Sequence, residues 1–114
     1  MRGYTKEQNE RFQQVASTIL SQLGGNKFVI MTGAKQIVFD SGKDEQGAIQ
    51  FKIGRNSSKA NIVKIELRGD DTYTMKFFQY RKMELKELKA YEGIYCDQLR
   101  SIFTDYTGLF TSLY

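Results

Sequence analysis

The chain has 114 residues, 40% of them hydrophobic, 13% aromatic and 26% charged, with a net charge of +4 and a mean hydropathy of −0.49. That is enough chain for one domain with a single core, and too apolar for a disordered segment. The absence of histidine and the single cysteine remove imidazole bases, Ser-His and Cys-His nucleophile pairs and most metal sites, so a non-enzymatic protein without metal or cofactor is expected.

Thr5 and Gln8 form a capping box, and Phe12, Val15, Ala16, Ile19, Leu20 and Leu23 follow at spacings of three and four. An amphipathic helix is predicted, ended by Gly24, with Gly25 and Asn26 turning the chain. The next run, Phe28-Val29-Ile30-Met31, is continuously apolar and bounded by Gly25 and Gly33, which predicts a short covered strand with Ile37–Phe39 as its partner. After a polar loop, Ile49, Phe51 and Ile53 alternate with Gln50 and Lys52, and Val63, Ile65 and Leu67 alternate with Lys64 and Glu66: two half-buried strands.

The turn at Gly69 leads into Thr72–Tyr80, where Tyr73, Met75 and Phe77 share one face. Phe78 and Tyr80 fall on the other, which suggests a bulge or a face covered by a helix. Residues 83–91 fit a helix through Leu85 and Leu88 or a strand edge through Leu88 and Ala90; we favour a sixth strand. Ile94, Tyr95, Leu99, Ile102, Phe103 and Tyr106 then recur at helical spacing, with Gly108 as the stop. The expectation is an α+β fold over residues 1–114, a single domain in which one antiparallel meander of five or six strands is flanked by an N-terminal and a C-terminal amphipathic helix.

Charge is unevenly placed along this fold, because residues 27–68 hold eight basic and four acidic side chains, whereas residues 93–114 hold one and two. Alternate loops of a meander lie at the same end of the sheet. Lys35, Arg55, Lys59, Arg81 and Lys82 are therefore expected on one rim with no acid among them, and Asp40, Asp44, Glu45, Asp70 and Asp71 on the other, offset by Lys43 and Arg68. The basic rim also collects Thr32, Asn56, Ser58 and Asn61, whose neutral polar groups suit a phosphate. Solvated hairpin loops would look the same.

Other motifs are weaker. Gly33-Ala34-Lys35-Gln36 lacks the spacing of a phosphate loop, and the asparagine of Asn56-Ser57-Ser58 matters only in a secreted protein. Tyr73, Phe78 and Tyr80 are the exposed candidates for stacking on single-stranded nucleic acid, while the element order differs from that of an RNA recognition motif. Cys96 reads as an inert packing residue, and the apolar tail Leu109–Tyr114 as a cap on the core or as a dimer or host-protein interface. No stretch approaches the roughly 20 apolar residues of a membrane span, and the start of the chain is polar, so a location in the cytoplasm is expected, with no membrane partner.

The strings Leu23-Gly24-Gly25-Asn26-Lys27-Phe28, Met31-Thr32-Gly33-Ala34-Lys35, Phe51 to Asn56, Ser58 to Asn61, Asp71-Thr72-Tyr73 and Thr107-Gly108-Leu109 resemble small uncharacterised proteins of bacteriophages and mobile elements. The resemblance implies an accessory role in the cytoplasm of a bacterial host, with no catalytic residues to carry over. Two functions stay open: binding of nucleic acid through the basic rim, and interaction with a host protein as an inhibitor or adaptor.

Overall fold

In a computed structural model, residues 4–109 are described. Helix α1 (Lys6–Leu23) starts on the expected capping box: the Thr5 hydroxyl accepts the Gln8 N–H at 3.1 Å, and the Gln8 side chain accepts the Thr5 N–H at 2.8 Å. Phe12, Ala16, Ile19 and Leu23 are its buried positions. The chain breaks at Gly24, and the Gly25 N–H reaches back to the Leu20 carbonyl.

The next element corrects the sequence reading, because Asn26–Thr32 is a helix, α2, and not a strand. In a strand, Phe28 and Ile30 would lie on one face. Here Phe28 is fully buried and Ile30 is 78% exposed, while Thr32, one helical turn beyond Phe28, is buried and donates its hydroxyl to the Phe28 carbonyl at 2.7 Å. Four consecutive apolar residues carry no periodicity, and left-handed Gly33 ends a short helix as readily as it turns a hairpin.

Five strands follow: β1 (Lys35–Asp40), β2 (Ala48–Lys52), β3 (Ile62–Leu67), β4 (Tyr73–Arg81) and β5 (Glu84–Ile94). They pair antiparallel in chain order, the expected meander. Residues 84–91 are thus strand, and β5 runs on through Ile94, which the periodicity had assigned to the last helix. That helix, α3 (Leu99–Thr107), begins only after a 3₁₀ turn at Cys96–Gln98 and stops at left-handed Gly108, as anticipated. The fold is α+β.

Register sorts the sheet into two faces. Ile49, Ile65, Met75 and Tyr91 form one row of the first face, with Phe51, Val63 and Phe77 beside it. All three helices pack there: α1 against β1, β2 and α3, α2 through Phe28, and α3 through Phe103 and Tyr106. The second face has no helix over it among the described residues and carries Val38, Gln50, Lys64 and Lys76 in one row and Lys52, Ile62 and Phe78 in the next.

The β1–β2 loop binds one end of this sandwich together. Gly47 has a φ of 121° and lies so close to α1 that a Cβ there would sit 2.7 Å from the Val15 Cβ, a place only glycine fits. The buried Glu66 carboxylate accepts the Lys43 N–H at 2.9 Å and lies 3.7 Å from the Arg68 guanidinium. Asp44 accepts the Gly69 N–H and the Arg68 Nε–H, each at 2.9 Å.

Replacing Phe28 with alanine should cost about 3–5 kcal/mol in denaturant unfolding, whereas Ile30→Ala should stay within about 0.5 kcal/mol; equal losses would contradict the helix. Acid is a second probe. The Asp44 carboxyl is held below its ordinary 3.8 by the Gly69 N–H first and by the Arg68 guanidinium next, and Asp70 is held below the same value by the Thr72 hydroxyl and then the Thr72 N–H. A depressed folded value means that the stabilisation is complete above about pH 3.8 and is lost as the pH falls through the folded values. Acid titrations of unfolding should therefore show a smaller loss below that pH for Asp44→Asn than for the parent.

Candidate nucleic-acid interface

β1 begins, β2 ends, β3 begins, β4 ends and β5 begins at the same end of the sheet. That end gathers Lys35, the loop 53–61 with Arg55 and Lys59, and the hairpin turn Lys82–Met83 flanked by Arg81. The other end gathers the loop 41–47 and the turn 68–72, which hold Asp44, Glu45, Asp70 and Asp71, with Asp40 at the tip of β1.

The helical α2 leaves this division intact, because its last carbonyl is pinned to the loop after β2. The Gly54 N–H donates to the Thr32 carbonyl at 2.8 Å, and a Cβ on Gly54 would stand 3.2 Å from that oxygen, so glycine permits the approach that sets where Lys35 enters β1.

Lys35, Arg55, Lys59, Arg81 and Lys82 are all exposed, and none is in an ion pair among the described residues. Three other cations of the sheet behave differently. Lys64 pairs with Asp40 at 3.3 Å, Arg68 with Asp44 at 2.9 Å and Lys76 with Glu87 at 3.9 Å. The five cations of the basic end are not paired off in this way. Glu84 stands at this end, opposite Arg81 across the hairpin, which corrects the expectation of a rim without acids.

The neutral groups at this end have partners within the fold. Thr32 is buried and bonded to the Phe28 carbonyl. The Asn56 amide donates to the Gly54 and Ala60 carbonyls at 2.9 and 2.7 Å, and its oxygen accepts from both the N–H and the hydroxyl of Ser58. Asn61 donates to the Tyr80 carbonyl at 2.8 Å and accepts the Tyr80 N–H at 2.7 Å. Thr32, Asn56, Ser58 and Asn61 thus shape the loop that presents Arg55 and Lys59, and their side chains are engaged before any ligand arrives.

Sequence reasoning did not see that the β4–β5 hairpin projects. β3 ends its pairing with β4 at Ile62–Phe78, and β4 continues to Arg81, so a two-stranded ribbon extends by three residues, about 10 Å at strand rise, past the neighbouring strands. It carries Tyr80, Arg81, Lys82 and Lys86. Lys52 was also missed; it stands opposite Lys35 in the β1–β2 ladder, and the alternation of β2 could have placed it on the helix-free face. Of the proposed stacking residues, Tyr80 is 44% exposed, Phe78 is half-buried and Tyr73 is buried, its hydroxyl pKa pushed up by burial, so Tyr73 is a core residue. Cys96 is exposed and not a packing residue. Phe110 to Tyr114, the core of the apolar tail, lie outside the described residues.

No family model, curated protein or solved structure matches this chain. Among the described residues no helix is long and apolar enough to cross a membrane, and no group of three or more Cys, Asp or Glu is placed to hold a metal ion.

The ribbon's turn is strained. Lys82 and Met83 have φ values of 53° and 62°, the left-handed conformation of a two-residue type I′ turn, where asparagine and glycine are favoured. Met83 is 90% exposed and gives up no packing when removed. Met83→Gly should raise the stability by about 1 kcal/mol in thermal melts, and an unchanged or lower melting temperature would count against the turn.

Proposed function

We propose that this chain is a small non-enzymatic nucleic-acid-binding protein that takes hold of the phosphate backbone with its basic end. The observation that carries the reading is the set of five exposed cations without acidic partners at one end of the sheet, set against a far end rich in carboxylates. A polyanion is attracted to the first and repelled by the second, so charge alone fixes the approach.

Lys35 and Lys82 mark the two sides of this end, Lys35 on β1 and Lys82 between β4 and β5, between three and four strand spacings or roughly 17 Å across the sheet. Arg55 and Lys59 lie between them, and the ribbon offers Lys86 on the same face as Arg81, with Tyr80 on the opposite face. Arg55 and Arg81 suit bidentate contacts to phosphate oxygens, while the lysines act as point charges. A strained turn that keeps a lysine where asparagine is favoured fits a contact residue at the tip. The role of accessory protein of a phage or mobile element, acting in the bacterial cytoplasm, rests on the sequence resemblance.

Fluorescence anisotropy with single-stranded and duplex oligonucleotides tests this. Five phosphate contacts predict that log affinity falls with log salt at a slope of about −3.5 on a single strand. A combined Arg55→Glu, Lys59→Glu, Lys82→Glu variant should lose binding while its circular dichroism stays unchanged. Lack of binding by the parent at low salt, or equal binding by the variant, would refute the reading.

A further inference from the structure

The two edges of the sheet are defended unequally. β5 carries Glu84, Lys86, Glu87, Lys89 and Glu92 along its length, the usual protection of a free edge against pairing with another strand. β1 has charges only at its ends, Lys35 and Asp40, and between them Ile37, Val38 and Phe39 are 38%, 53% and 41% exposed. The chain has no proline to interrupt pairing. Beside this edge, β1 and α1 enclose an apolar groove of about 180 Å³, lined by Ala16, Leu20, Ile37 and Phe39 among others.

We propose that the β1 edge is a docking surface for a second copy of this chain, joined antiparallel about a two-fold axis at Val38, so that two five-stranded sheets become one of ten strands. Such an interface is isologous and closed. Val38 would face its own counterpart on the helix-free side. Ile37 would face the partner's Phe39, and Phe39 the partner's Ile37, on the side of the groove, a pairing of apolar residues directly across strands. The bulge between Lys35 and Val38 sets Gln36, at a φ of 53°, and Ile37 together opposite Phe51, so the apolar centre starts at the bulge and runs in regular register from Val38 to Asp40.

Charge selects the second copy over an arbitrary extended peptide. The molecule is basic at the Lys35 end of β1 and acidic at the Asp40 end. Antiparallel pairing sets the basic end of each copy beside the acidic end of the other, whereas parallel pairing would join like ends. The same strand thus supplies both halves of the complementarity.

The test is the mass of the full chain in solution, without nucleic acid, by light scattering over a range of concentrations, together with hydrogen exchange of the β1 amides. The mass should rise with concentration from the 13.2 kDa of one chain to twice that and stop there, and the β1 amides should become protected over the same range. Val38→Lys places two like charges face to face at the axis and should weaken association at least about tenfold. Val38 is half exposed and outside the core, so the variant's circular dichroism should match the parent's. A parent that stays monomeric, masses that grow beyond the dimer, a dimer whose β1 amides exchange as fast as the monomer's, or a Val38→Lys chain that dimerises like the parent would each overturn the proposal. Should that variant fail to fold, the exchange measurement on the parent still decides.

Discussion

Phe28 is the residue on which the arrangement of layers depends. Its ring stands edge-on to Phe51 of β2 at 5.4 Å and to Phe103 of α3 at 5.1 Å, so one side chain from a seven-residue helix joins the sheet to the C-terminal helix. From Phe103 the contacts pass to Phe77 of β4, and from Phe77 to Tyr106 at 4.3 Å and Tyr91 at 6.2 Å. Each such pair adds on the order of 1 kcal/mol to the burial of its rings. A helix this short has little stability of its own, so α2 exists because Phe28 is buried. With all three helices held to one face, no helix among the described residues covers the other.

The same anchoring fixes the basic end. Burial of Phe28 and Thr32 brings the last carbonyl of α2 against Gly54, and the loop that begins there closes on itself through Asn56, Ser58 and the Asn61–Tyr80 exchange. Its neutral polar groups are satisfied internally while its cations are not. On a loop tied by these hydrogen bonds, the backbone under Arg55 and Lys59 needs less ordering on binding a polyanion than that of a loop without them.

How much of this was legible follows from the physics of each segment. The strands around Phe51, Ile65 and Met75 were readable because one face is covered and the other is not, which forces alternation. The segment 83–91 was ambiguous for a definite reason. Phe77 pairs with Lys89 and Phe78 with Glu87, so Leu88 is the extra residue of a bulge, and the bulge shifts the period by one and mimics helical spacing. The division of loops between two ends was readable because connectivity alone decides it in a meander. The engagement of Thr32, Asn56 and Asn61 was not, since it depends on whether a carbonyl lies within reach, and Tyr80, the partner of Asn61, is nineteen residues away in sequence.

The charge separation bears on both proposals at once, and they are physically compatible. A two-fold antiparallel dimer places its two basic ends at opposite sides of the joined sheet, where each can meet a phosphate backbone without obstructing the other. Lys35 is the residue the two readings share, because it opens β1 and therefore stands at the seam as well as at the basic end. Beside the partner's Asp40 its charge would be partly neutralised, leaving Arg55, Lys59, Arg81 and Lys82 as the polyanion contacts farther from the seam. Dimerisation would then shift the centre of positive potential from the β1 edge towards the β4–β5 ribbon, which extends past its pairing with β3.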